Sequence, residues 1–228
     1  MTVDDAVDRL RADYDTAPYE SHAFPQSAPG HLAAIAYLFG FAPPEVATAR
    51  VLEIGCASGG NLIPFAAEHP QAHVVGIDLS QVQIDEGRRR VQVLGLENLA
   101  RELLQGDIAQ MDLATLGQFD YIVSHGVYSW VPDNVQDAIL SAFRKLLVPD
   151  GVAYISYNVY PGWKAKEIVR DAMLMRSGGR ETPEERVAYA RGMITFLEDV
   201  APADSVLATV LADYKVIAAS SKDYYLLH

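Results

Sequence analysis

Apolar residues are bunched in five short runs along the first 157 positions, at 50–54, 73–77, 100–105, 119–124 and 151–157, each flanked by polar or turn-forming residues. Their length and β-branched content predict buried strands. Between them, apolar positions recur at helical spacing over 60–68, 81–94 and 133–147, with a shorter turn near 111–116. Ser80 and Gln83 form a capping box that opens the second of these helices, and Pro132 suits the first turn of the third. Strands alternating with helices predict an α/β fold: a doubly wound, mostly parallel sheet with helices on both faces.

The pattern changes on either side of this core. Three helical stretches follow position 158, at 163–177, 184–200 and 204–219, the middle one opened by a capping box, Thr182 to Glu185, with Pro183 at its first position. The last is apolar enough to need a partner surface. Ahead of the first strand come a short polar helix over 1–13, a loop from Tyr14 to Gly30 rich in Pro, Ser and aromatic residues, and an amphipathic helix over 31–41 closed by Pro43 and Pro44. A loop of that length and aromatic content reads as a functional lid. The expected organisation is therefore an N-terminal helix and lid segment (1–44), a cofactor-binding core (45–160) and a helical C-terminal extension (161–228).

Composition narrows the function. Eighteen Lys and Arg against 30 Asp and Glu give a net charge of −12, which repels a phosphate backbone, so nucleic acid is not an expected partner. The run Arg88-Arg89-Arg90 is read as a solvated helix face. Cys56, the single cysteine, excludes an intramolecular disulfide and a cysteine-based zinc site, and no metal is expected. No apolar run approaches the ~20 residues of a membrane span and the N-terminus lacks the features of a secretion signal, so the expectation is a cytoplasmic protein without membrane insertion.

The candidate chemistry lies where the first strand breaks into a glycine-rich turn, Val51-Leu52-Glu53-Ile54-Gly55-Cys56-Ala57-Ser58-Gly59-Gly60-Asn61, and where the second ends in Asp78. Small residues let backbone approach a ligand, the N–H groups opening the next helix meet an anion, and an acid at the tip of strand two accepts hydrogen bonds from a ribose diol. Gly55-x-Ala57-x-x-Gly60 also reads as a loose dinucleotide fingerprint, which keeps a nicotinamide-dependent oxidoreductase open. Glu53 disfavours it, because an acid there is badly placed beside a pyrophosphate and well placed beside a cationic ligand.

The turn resembles motif I of the class I S-adenosylmethionine-dependent methyltransferases, acid-x-Gly-x-Gly-x-Gly, with Glu53, Gly55 and Gly59 matching and Ala57 in place of the middle glycine. Leu104-Gln105-Gly106-Asp107-Ile108 is similar to the adenine-binding segment after strand three. Phe119 to Gly126 is similar to motif IV, and Leu146 to Gly151 to the turn into strand five. A narrower resemblance, to bacterial methyltransferases with a methyltransferase regulatory domain, including the rickettsial-type protein-lysine methyltransferases, rests on four segments. These are Tyr14 to Ser21, Gly59 to Pro64, His125 to Pro132 and Ser156 to Trp163.

The resemblance implies S-adenosylmethionine as cofactor, with Glu53, Gly55, Cys56, Gly59, Asn61, Asp78, Leu79, Gln83, Asp107, Ile108 and His125 as its expected contacts. His125 and Tyr128 are the expected catalytic residues, since a histidine after strand four has an unperturbed pKa suited to a base. Tyr14, Tyr19, His22, Trp130 and Tyr157 are expected to line the lid and acceptor side, where aromatic faces hold a cationic amine. The implied acceptor is a protein lysine amine; a small-molecule N or O nucleophile, or a cofactor-binding module that does not catalyse, are the alternatives. Because the family's sheet has seven strands and five are placed by residue 157, the chain is expected to be truncated after Tyr224-Tyr225-Leu226-Leu227-His228.

Overall fold

The computed structural model describes residues 7, 11, 12, 14, 15, 18–99, 102–180 and 182–220. By internal contacts these fall into two compact units: one contains Val7, Arg11 and Glu20 to Tyr157, and the other Ala12, Tyr14, Asp15, Pro18, Tyr19 and the residues from Asn158 onward. The loop segment ahead of the first strand is therefore divided between the two units near position 20.

The first unit is a five-stranded parallel sheet in the order β3-β2-β1-β4-β5, formed by β1 (Arg50–Ile54), β2 (His73–Asp78), β3 (Leu103–Gln105), β4 (Phe119–Ser124) and β5 (Leu147–Ile155). Chain direction across the sheet reverses between β1 and β4, and the crevice outside the carboxyl ends of those strands is where such sheets bind ligands. Helices α1 (Pro29–Leu38), α2 (Leu62–Glu68) and α3 (Gln81–Leu94) supply Leu32, Leu62, Phe65, Ala66, Ile84 and Val91 to one buried cluster, with Val51, Val74, Tyr121 and Val123 from the strands. Helix α4 (Asp133–Leu146) covers the other face, where Val135, Ile139, Ala142 and Leu146 meet Leu52, Ile54, Val75, Ile77 and Ile122. Consecutive β1 residues thus enter opposite cores, as a strand buried on both faces requires.

The expected elements recur with some differences. Of the predicted helix over 1–13, Val7, Arg11 and Ala12 are helical and the rest lie outside the described residues; Tyr14 and Asp15, read as loop, are helical too. The third strand begins at Leu103, with positions 100 and 101 outside the described residues. The fifth strand spans Leu147–Ile155 rather than 151–157. Leu147 pairs with Phe119 and pairing resumes at Val152 with Tyr121, so Val148-Pro149-Asp150-Gly151 forms a bulge within the strand instead of a turn ahead of it. Arg88 is not simply solvated: its guanidinium donates to the Leu103 carbonyl at 2.7 and 3.0 Å, while Arg89 and Arg90 bond Glu86.

The second unit contains α5 (Lys164–Ser177), α6 (Pro183–Val200) and α7 (Val206–Ser220). Val169 and Met173 of α5, Ala190 and Ile194 of α6, and Val210, Leu211 and Tyr214 of α7 share one core, which supplies the partner surface that the apolar last helix needs. The terminal segment Tyr224 to His228 lies outside the described residues.

Gly76 on β2 shows how closely the first core is packed beneath the turn. A Cβ there would lie 2.7 Å from Cys56 Sγ and 2.8 Å from both Leu103 Cδ2 and Leu62 Cδ1. With three side chains converging from separate elements, Gly76→Ala is expected to destabilise the chain by about 1–3 kcal/mol, read as a lower urea midpoint at unchanged slope.

Candidate functional site

The turn between β1 and α2 is built from residues that hold a left-handed backbone. Gly55, Ala57 and Gly59 have φ of 80°, 47° and 76°, so the chain doubles back at alternate residues. Ala57 is the only non-glycine residue with positive φ among those described. Its N–H donates to Asp78 Oδ2 at 2.7 Å, while Asp78 Oδ1 accepts the Ser80 N–H at 2.9 Å. Gly55 and Cys56 both donate to the Ile77 carbonyl, at 2.8 and 3.1 Å, and Gly106 donates to the Asp78 carbonyl at 2.9 Å. The ends of β1, β2 and β3 are thereby tied together around the Asp78 carboxylate. A Cβ on Gly55 would lie 2.2 Å from Val127 Cγ2, so the loop after β4 presses directly on the turn.

Glu53 stands on β1 opposite Gly76 and Val123, and only 3% of it is exposed. Its Oε1 accepts a hydrogen bond from Asn61 Nδ2 at 2.9 Å, and its buried Oε2 has no partner among the described residues. Burial, with a smaller contribution from the Asp78 charge, overcomes the Asn61 bond and pushes the Glu53 carboxyl up to about 7. A buried acid with one oxygen unsatisfied is costly unless a ligand cation completes it. An ammonium group such as that of S-adenosylmethionine is the kind of cation that would complete it.

The segment from Ser21 to Ser27 lies across this turn. Ser21 Oγ accepts the Gly60 N–H at 2.8 Å, and a Cβ on Gly60 would lie 2.4 Å from the Ser21 carbonyl oxygen. Asn61 Oδ1 accepts the Phe24 N–H at 3.0 Å, and Asn61 Nδ2 also donates to Ser27 Oγ at 3.2 Å. The Phe24 ring sits 3.9 Å from the His125 imidazole, centroid to centroid. Tyr154 stacks on His125 at 5.9 Å, its hydroxyl 3.4 Å from Nδ1. Burial holds the His125 pKa below its usual value, so the imidazole is neutral at neutral pH.

The remaining expected residues divide. Tyr128 opens a short 3-10 turn that includes Trp130, both half-buried, and its ring meets Tyr157 edge-on at 6.1 Å. Asp107 bonds locally, accepting the Ala109 N–H at 2.9 Å and Gln110 Nε2 at 3.0 Å, which leaves lone pairs for an adenine amino group. Leu79 and Ile108 pack in the α4-side core, and Gln83 is buried in the first turn of α3. The Cys56 side chain packs into the α2-side core with its Sγ 3.5 Å from the Ala57 carbonyl oxygen, and burial and then the charges of Asp78 and Glu53 push its thiol well up. His22 is exposed, and Tyr14 and Tyr19 group with the second unit. Missing from the expected set are Ser21, Phe24, Ser27, Val127 and Tyr154, although the first three lie inside the segment read as a lid. Among the described residues, no group of three or more His, Cys, Asp or Glu is gathered as for a metal, and no helix is long and apolar enough to cross a membrane.

A parallel sheet in this order, with a glycine turn, an acid at the tip of the second strand and a buried acid converging on its switch point, defines a nucleoside-cofactor protein of the doubly wound class. Residues 52–153 match the model of a methyltransferase domain. An uncharacterised protein of Rickettsia prowazekii is 37% identical over 94% of this chain and 85% of its own length, and a second from the same organism is 43% identical over 94% of this chain and 38% of its own. The solved structure of PKMT2 from Rickettsia typhi in complex with AdoHcy superposes with a TM-score of 0.76 at 38% identity, covering 92% of this chain and 40% of that one. The chain belongs to the class I S-adenosylmethionine-dependent methyltransferases. It spans about two-fifths of the length of two of these relatives.

Glu53 gives the first test of the site. Between pH 4.5 and about 7 the unfolded chain ionises this group while the native state keeps it protonated, so native stability falls as pH rises through that window. Glu53→Gln removes the penalty. The variant is expected to match the parent near pH 4 and to be more stable above pH 7 by up to about 3 kcal/mol, measured by thermal melts across pH without ligand.

Proposed function

We propose that this chain binds S-adenosylmethionine at the Gly55–Gly59 turn and serves methyl transfer to an amine, with a protein lysine side chain as the acceptor. The observation that carries the reading is the buried, half-satisfied Glu53 carboxylate beside a turn of left-handed residues. Glu53 holds the ligand's ammonium, Asp78 the ribose, and Asp107 the adenine edge. When bound, the cofactor supplies an electrophilic methyl on a sulfonium. The chain's own residues align the acceptor and exclude water.

On the acceptor side the reading rests on His125, the Phe24 and Tyr154 rings against it, and the Tyr128–Tyr157 pair. Phe24, Tyr128, Tyr154 and Tyr157 give aromatic faces that suit an amine through its positive charge. His125 is neutral, and in the tautomer whose Nδ1–H donates to the Tyr154 hydroxyl oxygen Nε2 is left to accept a proton from the acceptor. The likeness to PKMT2 from Rickettsia typhi supports a protein acceptor.

Calorimetric titration with S-adenosylhomocysteine tests the cofactor assignment. Binding in the micromolar range is expected at pH 8, with no binding of NAD. Glu53→Gln is expected to weaken it by about 10- to 100-fold, the loss of one charge-assisted hydrogen bond, and Asp78→Ala to abolish it. Because the ligand ammonium needs the ionised carboxylate, affinity falls as pH drops below about 7. No binding by a folded sample overturns the reading.

Turnover tests the acceptor. A lysine amine must lose a proton from a pKa near 10.4, so methylation of a lysine peptide is expected to rise by roughly tenfold per pH unit between pH 7 and 9. A flat profile excludes an amine. Ligand binding without turnover, restored by a chain of the relatives' full length, would assign the present 228 residues the binding step alone.

A further inference from the structure

We infer that Asn61 is a positioning residue rather than a cofactor contact: through its side-chain amide, a cationic ligand on Glu53 fixes the Ser21–Ser27 strap and so sets Phe24 against His125. This rests on the cofactor reading above and adds a coupling between the two sides of the site.

Asn61 occupies the N-cap position of α2, yet its side chain makes no capping bond. Its Nδ2 and Oδ1 go elsewhere. Nδ2 donates to Glu53 Oε1 and Ser27 Oγ, and Oδ1 accepts from the Phe24 N–H. The fully buried Ser27 hydroxyl then donates to the Phe24 carbonyl at 2.9 Å. Both backbone polar groups of Phe24 are thus held by a network that begins at Glu53.

That network has a direction, because an amide donates at one end and accepts at the other. An ionised Glu53 only accepts, so Asn61 must turn Nδ2 towards it and Oδ1 towards Phe24. A protonated Glu53 carries its proton on Oε2 and still accepts at Oε1, but as a neutral carbonyl, so the bond that fixes the Asn61 amide is then the weaker, uncharged kind. A ligand ammonium at Oε2 keeps Glu53 ionised, which strengthens the bond that holds Asn61 and, through it, Phe24. The charged or titratable groups that act on Glu53 are the Asp78 carboxylate and the Cys56 thiol, and the buried thiol stays neutral. The other end of the strap is anchored by Gly60 N–H to Ser21 Oγ, a bond independent of Glu53. The strap therefore has one fixed end and one end that the ligand tightens. Coupling of this kind is reciprocal, so an acceptor that packs on Phe24 tightens the ligand on Glu53.

Amide hydrogen exchange followed by NMR, with and without saturating S-adenosylhomocysteine, tests this without any acceptor. In the parent chain the ligand is expected to slow exchange at the Phe24 amide by about tenfold or more. In Asn61→Ala that amide is expected to exchange rapidly and to ignore the ligand, while the Gly60 amide stays protected. Glu53→Gln, whose side chain can donate or accept, is expected to lose the response at Phe24 at ligand concentrations where calorimetry shows it bound. Ser27→Ala, which leaves the Glu53–Asn61–Phe24 bonds in place, is expected to keep it. Calorimetric binding with no change at the parent Phe24 amide, or a full response in Asn61→Ala or Glu53→Gln, would overturn the coupling. Absence of binding to the parent chain is a separate result, which overturns the cofactor reading and this inference with it.

Discussion

The hydrogen bond from the Ala57 N–H to Asp78 is the constraint on which the site depends. A chain leaving β1 must reverse within a few residues and still leave N–H groups for a ligand, which puts Gly55, Ala57 and Gly59 in the left-handed region. Glycine adopts that region freely; alanine does so at a cost of about 1–2 kcal/mol. The bond to a carboxylate offsets that cost and fixes the turn against β2. The same carboxylate takes the Ser80 N–H, so the start of α3 is set by the group that sets the turn. The ends of β1 and β2, and the helix after each, thus share one anchor.

Around that anchor the protein holds an acid where burial makes it least comfortable. Glu53 faces a strand neighbour, Gly76, that has no side chain to offer it, and one of its oxygens has no partner among the described residues. Asn61 satisfies the other oxygen and gives its remaining hydrogen-bonding capacity to the strap. Part of the folding free energy is thereby held as an electrostatic demand for a cation. Such a demand is a reason for a binding site to be less stable than its surroundings allow.

Much of this arrangement is legible in the chain itself. The strands at 50–54 and 119–124, the helix at 81–94 and the Ser80 cap follow from period and capping chemistry, because buried parallel strands and amphipathic helices leave strong local signals. The glycine turn and Asp78 are legible because their spacing is the signal. The start of the fifth strand is not, because Pro149 and Gly151 mark a turn, and nothing local tells a turn between elements from a bulge inside one. The inward direction of the Cys56 side chain is equally hidden, since a position within the turn says nothing about which way the thiol faces. Ser21, Phe24 and Ser27 are visible only as members of an aromatic, serine-rich loop. Their partners Gly60 and Asn61 stand 34 to 39 positions away, a separation that no local pattern encodes.

The two halves of the site also agree in charge. A methyl donor of this class is a sulfonium and the proposed lysine acceptor arrives as an ammonium, so a protonated histidine at the proposed site would repel both. Phe24 and Tyr154, packed against the His125 ring, remove water from the imidazole and hold it neutral. The strap that supplies Phe24 is therefore more than a cover: by desolvating His125 it favours the neutral imidazole that the proposed acceptor requires. Since Phe24 is held through Asn61 by Glu53, the acid that suits one cation and the imidazole that must not repel the other are parts of one hydrogen-bonded and stacked chain.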